Sequence, residues 1–137
     1  MGYIYQTVDT ADGATTDDKR CIAVGRKVRL VGVILTSFLA AARHSANWKK
    51  FQVLQSDEVA VAWEWSLDAD DSDVALAAKT TYGFAPDGFS VDVAKAAVGT
   101  GATLEYDGNQ TIVVRCLHDN SGVATQARMT LILEPVS

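Results

Sequence analysis

The sequence predicts an all-β fold, an antiparallel β-sandwich or jelly roll of about 7–9 short strands behind an extended N-terminal arm. Three observations predict it. Valine and threonine account for 16 and 12 of the 137 residues, and their branched side chains suit a pleated, half-buried surface. Short segments alternate apolar and polar residues, the period of a strand rather than of a helix. Turn residues break the chain at intervals of roughly 8–15 residues, and no long amphipathic helix lies between them. With 48% apolar and 21% charged residues, the chain has the composition of one globular domain and not of a disordered tail.

Residues 1–20 hold few core-forming side chains after Tyr5, so they read as the arm, with residues 21–137 as the sandwich domain. Arg26 to Phe38 (RKVRLVGVILTSF) is the longest apolar stretch. Val28, Leu30 and Ile34 are expected on one face, and the segment becomes apolar on both faces as a central strand does. Residues 39–47 read as a loop. Trp48 to Gln55 follows as a strand with Phe51 and Val53 inward, and Gln55-Ser56-Asp57-Glu58 turns it into Val59–Ser66. There Val59, Val61, Trp63 and Trp65 share a face, and the two strands make a hairpin. Asp68 to Asp73 is an acidic loop, after which Ser72 or Asp73 is placed to cap a helix over 74–79, with a strand as the equal alternative. Pro86-Asp87-Gly88 is a turn, and Phe89–Val93 a short strand. Asp107-Gly108 signals a hairpin between Thr103–Tyr106 and Gln110–His118. Asp119-Asn120-Ser121-Gly122 joins the last pair, Thr111–Leu117 and Ala127–Pro135, and Pro135 ends the final strand because it cannot donate to a ladder.

Little in the chain points to chemistry. The two histidines, His44 and His118, are far apart in sequence, and no G-x-S-x-G elbow surrounds a serine. Zinc needs Cys and His clustered at short spacings, which Cys21, Cys116, His44 and His118 do not offer. The two cysteines are expected to be unpaired and buried. Asp68-Ala69-Asp70-Asp71-Ser72-Asp73 alternates oxygen ligands as calcium loops do, but Asp73 stands where such a loop needs Gly and Lys79 where it needs Glu. The sequence assigns it a solvated loop, no metal and no cofactor. Glu64 and Glu105 are carboxylates that nothing pairs. Asn109-Gln110-Thr111 matches the glycosylation pattern, but no basic region or apolar signal core precedes it, so export is not expected. No apolar run approaches the ~20 residues of a membrane helix. The chain reads as a non-enzyme.

Charge is unevenly spread. Between Lys19 and Ser56 lie eight basic residues and no acidic one; from Asp57 onward there are four basic and thirteen acidic. A basic block containing Trp48-Lys49-Lys50 is the sort of segment that binds nucleic acid. The net charge of −5 argues instead that the block answers the acidic half within the fold or across a subunit contact, so no nucleic acid is expected. Trp63 and Trp65 are expected in the core rather than as an exposed sugar platform.

An extended arm followed by a compact β-sandwich resembles the small virion proteins of tailed phages, above all the head decoration (cement) proteins. The resemblance is one of layout over the whole chain, with no diagnostic motif. It implies a structural subunit on the capsid surface of a virion that bridges major capsid protein subunits and self-associates, as a homotrimer. A carbohydrate-binding module and a tail or connector subunit stay open as alternatives. The interface residues expected are Tyr3 and Tyr5 from the arm, with Arg26, Arg29, Trp48, Lys49 and Lys50. Ordering each backbone residue costs roughly 1–2 kcal/mol, and the polar arm lacks the apolar surface to offset this, so its anchor is expected on a neighbouring subunit.

Overall fold

The structure is a computed structural model that describes residues 2–9, 17–120 and 125–136. Its strands are β1 (Ile4–Asp9), β2 (Asp17–Ala23), β3 (Val28–Ser37), β4 (Lys49–Leu54), β5 (Val61–Ser66), β6 (Thr80–Phe84), β7 (Val93–Ala94), β8 (Glu105–Tyr106), β9 (Thr111–His118) and β10 (Ala127–Pro135). A 3-10 turn over Gly101–Leu104 precedes β8. The strands form two sheets, one ordered β1-β10-β3-β6-β7 with β8 beside β3, the other β2-β9-β4-β5. The fold is thus the expected all-β sandwich.

Four antiparallel pairings are nested along the sequence: β4 with β5, β3 with β6, β2 with β9 and β1 with β10. That is one long hairpin, rolled so that β10 meets β3 and β9 meets β4. The result is the eight-strand jelly roll, whose two sheets close over one core. Val28, Leu30, Val33, Leu35, Met129, Leu131 and Leu133 face Phe51, Val53, Trp63, Trp65, Ile112 and Val114 across it, all buried. Aromatic side chains tie this core to backbone of other segments. The Trp63 indole donates to Lys95 O at 2.9 Å, the Trp65 indole to Val74 O at 3.1 Å, and the Tyr106 hydroxyl to Leu54 O at 2.5 Å.

Several expectations are corrected. The arm is not external: Ile4–Asp9 pairs residue for residue with Arg128–Leu133, Ile4 and Val8 pack on the core, and residues from Asp17 enter β2. Burial within the chain therefore anchors residues 4–9, and a neighbour is not required to order them. Residues 10–16 lie outside the described residues. Asp107-Gly108 does turn the chain, with Gln110 N donating to Asp107 O, but it carries it from β8 in one sheet to β9 in the other. Likewise β9 and β10 lie in different sheets, so their connection is a crossover and not a hairpin loop.

Residues 74–79 form neither helix nor strand, and only Leu76 bridges to Ala41. Of Phe89–Val93 only the end is strand, and β7 runs parallel to β6. In β3 a bulge opposite Ile132/Leu133 moves the inward set from Leu30 to Val33, which turns Ile34 outward. A second bulge opposite Val53/Leu54 buries Ala62 beside Trp63 and leaves Val61 half-buried, while Val59, 76% exposed, lies in the turn. Both cysteines are free, but only Cys116 is buried; Cys21 is exposed on the edge strand β2. Gly83 has φ of +137°, and a Cβ there would stand 1.9 Å from Val33 O. Only glycine lets β6 lie this close to β3.

Trp63 is fully buried, so Trp63→Ala should cost about 3–5 kcal/mol in urea unfolding. Burial, aided by the Asp57 carboxylate, pushes the Tyr106 phenol far above its ordinary range. A raised folded value adds stability below the unfolded tyrosine's value of about 10, and this is lost as pH rises beyond it. Tyr106→Phe should therefore lower stability at neutral pH by about 1–3 kcal/mol, because Leu54 O loses its donor. It should also flatten the alkaline limb of a stability-against-pH curve.

Candidate functional site

The structure divides the seven expected interface residues among four places. Tyr3 and Tyr5 lie on the outer face of the first sheet, flanking Phe89 with ring centroids 6.0 and 5.9 Å away. Phe89 belongs to the connection after β6, which crosses this face to reach β1. Beside it is a cavity of about 280 Å³ lined by Gly83, Phe84, Phe89, Val91, Ala94 and Lys95. Arg26 and Arg29 are exposed at the start of β3, where Arg29 pairs with Glu105 at 3.6 Å. Trp48 and Lys50 sit at the opposite end of the roll, with the Lys50 ammonium 4.7 Å over the Trp48 ring. Lys49 is no surface residue: 2% exposed, it follows the inward parity of Phe51 and Val53, and its ammonium donates to Thr125 Oγ1 at 3.1 Å.

At that same end the acidic loop meets the basic block. Lys50 lies 3.9 Å from the Asp68 carboxylate and 3.4 Å from that of Asp71. Arg43 donates to the carbonyl oxygens of Ala69 and Asp71. Lys95 binds Asp73 at 2.6 Å while stacking 5.5 Å over Trp65. The carboxylates also serve backbone: Asp73 accepts from Ser66 N at 2.9 Å, and Asp68 from Asp70 N at 3.0 Å. These oxygens are thus spent on lysines and on turn geometry, and among the described residues no group of three or more His, Cys, Asp or Glu side chains is placed to hold a metal. Glu64 accepts from Gln52, and Glu105 pairs with Arg29 on the other sheet, so the two do not form a catalytic pair. His44 is exposed, with its Nδ1 accepting from Ala46 N and Asn47 N.

Sequence reasoning missed one surface at this end. Ala41 and Leu76 exchange two backbone hydrogen bonds of 2.9 Å and are both buried. Their immediate neighbours, Ala40, Ala42, Ala75 and Ala77, point the other way. Phe38, Leu39, Ala40 and Ala42 on one side, with Val74, Ala75, Ala77 and Ala78 on the other, are all exposed. Phe38, Leu39 and Val74 reach 42, 52 and 54%. FLAAA and VALAA contain no polar residue and meet at this bridge as an apolar end, edged by Arg128, whose guanidinium lies 5.6 Å over the Phe38 ring. The signal was available, since neither run has the period of a helix or a strand and neither can bury itself.

The hydrogen bond from the Ser66 hydroxyl (2.6 Å) and then the Lys50 ammonium hold the Asp71 carboxyl below the usual carboxylate range. A depressed folded value adds stability above the unfolded aspartate's value of about 3.9, and this is lost as pH falls through the folded value. Ser66→Ala should accordingly move the acid-unfolding midpoint, followed by tryptophan fluorescence, to higher pH. Compared with family models, with curated proteins and with solved structures, the chain matches none.

Proposed function

We propose that this chain is a non-enzymatic structural subunit: a decoration protein of a virion head, self-associating as a trimer and docking on major capsid protein at the capsid surface. The observation that carries the reading is the apolar end formed by residues 38–42 and 74–78. Monomeric proteins seldom leave such a patch uncovered, and a stable interface needs about 800 Å² from each partner around an apolar centre. Docking there would bridge neighbouring shell subunits, adding contact area that resists their separation. Jelly rolls build capsid domains among others; because they also serve lectins and cupins, topology supports the reading without assigning it. A sugar platform is poorly served, since Trp63 and Trp65 are 0% and 3% exposed.

Light scattering of the full chain should give three times the 14.6 kDa protomer mass. In gradients of virions from the virus that encodes it, the chain should sediment with the heads. A Leu39→Asp, Val74→Asp variant should bind at least tenfold more weakly while keeping its circular dichroism and Tm. A chain absent from the heads, or a variant that binds as well as the parent, would overturn the proposal.

A further inference from the structure

We infer that the same end of the roll holds one internal water molecule, bound between the His118 ring and the Lys49–Thr125 pair. His118 ends β9 and continues the inward parity of Ile112, Val114 and Cys116; it is 5% exposed. Its Nδ1 lies 3.1 Å from Asn120 O. A carbonyl oxygen can only accept, so the neutral ring carries its proton on Nδ1 and presents Nε2 as an acceptor. That Nε2 is fully buried and, among the described residues, has no hydrogen-bond partner. Such atoms are rare in folded proteins because burial without a donor forfeits the hydrogen bond that water supplied.

The neighbourhood supplies what a water needs. Lys49 is the register partner of His118 on the adjacent strand, and its ammonium reaches Thr125 Oγ1. Thr125 is buried as well, at 8% exposed, and its hydroxyl keeps a hydrogen to donate after accepting from lysine. A buried water makes about two to four hydrogen bonds: here it would donate to Nε2 and accept from the Thr125 hydroxyl, which the Lys49 ammonium holds in place. A metal ion is the other ligand suited to a bare Nε2 whose Nδ1–H is fixed by a carbonyl. The ammonium on the neighbouring strand repels a cation, and no three ligating side chains gather here among the described residues. The water would link the start of β4, the end of β9 and the approach to β10, fastening the β9–β10 crossover to the core.

A high-resolution crystal structure of the full chain grown in bromide, together with long-range ¹H–¹⁵N NMR of the His118 ring, tests this. Expected are the Nδ1–H tautomer and a non-anomalous peak about 2.7–3.2 Å from Nε2 that also contacts Thr125. Thr125→Val should abolish or displace that peak. A dry Nε2, an Nε2–H tautomer, an anomalous bromide or metal peak, or a peak unmoved by Thr125→Val would overturn the assignment.

Discussion

Everything in this fold hangs on a ladder between the two most distant strands, Ile4–Asp9 against Arg128–Leu133. Antiparallel pairing of segments more than a hundred residues apart is possible only if what lies between is itself folded into pairs. The nested order supplies that, each pair bringing the next outer one into reach. The roll then sets two faces of alternating apolar side chains against each other, and the hydrophobic stabilisation follows from that enclosure. Long-range pairing of this sort closes loops at high entropic cost and makes such topologies slow to fold.

Strands whose alternation is unbroken were legible in the sequence: β4, β9 and β10 lie where the residues put them, with Phe51, Val53, Leu131 and Leu133 inward. Alternation misled wherever a bulge intervened, as at Ile34 and Val61, because an inserted residue reverses the parity of all that follows. Turn chemistry was legible as well, but not where a turn leads. Asp107-Gly108 bends the chain as its residues require, yet whether the next strand lies alongside or in the opposite sheet depends on competition among all strands. The arm was misjudged because its polar composition hid two inward residues, Ile4 and Val8, which suffice once β10 offers them an edge.

The pairing of charges was legible in the sequence. The basic block does meet the acidic half of the chain, through Arg29 with Glu105 and Lys50 with Asp68 and Asp71. These pairs are partly exposed and individually worth little, so their effect is to shape the loops at the ends of the roll. Lys49 shows the limit of reading charge without parity. Its place two residues before Phe51 turns it to the core, while Lys50 faces the acidic loop. The apolar end leaves no mark in turn chemistry, because its alanine runs carry no turn residues; only their lack of a helical or strand period marks it.

The nested order has a consequence for synthesis on the ribosome. β4 and β5 can pair as soon as both emerge, but β1 must wait for the last strand of the roll. At about 5–20 residues per second, the first-made strand spends several seconds or more with its backbone unpaired. During that interval Tyr3, Ile4, Tyr5 and Val8 are open to any other nascent chain on the same message. The strand's shortness and the Asp9 that ends it are the features that limit such misassociation, which a longer or more apolar first strand would invite.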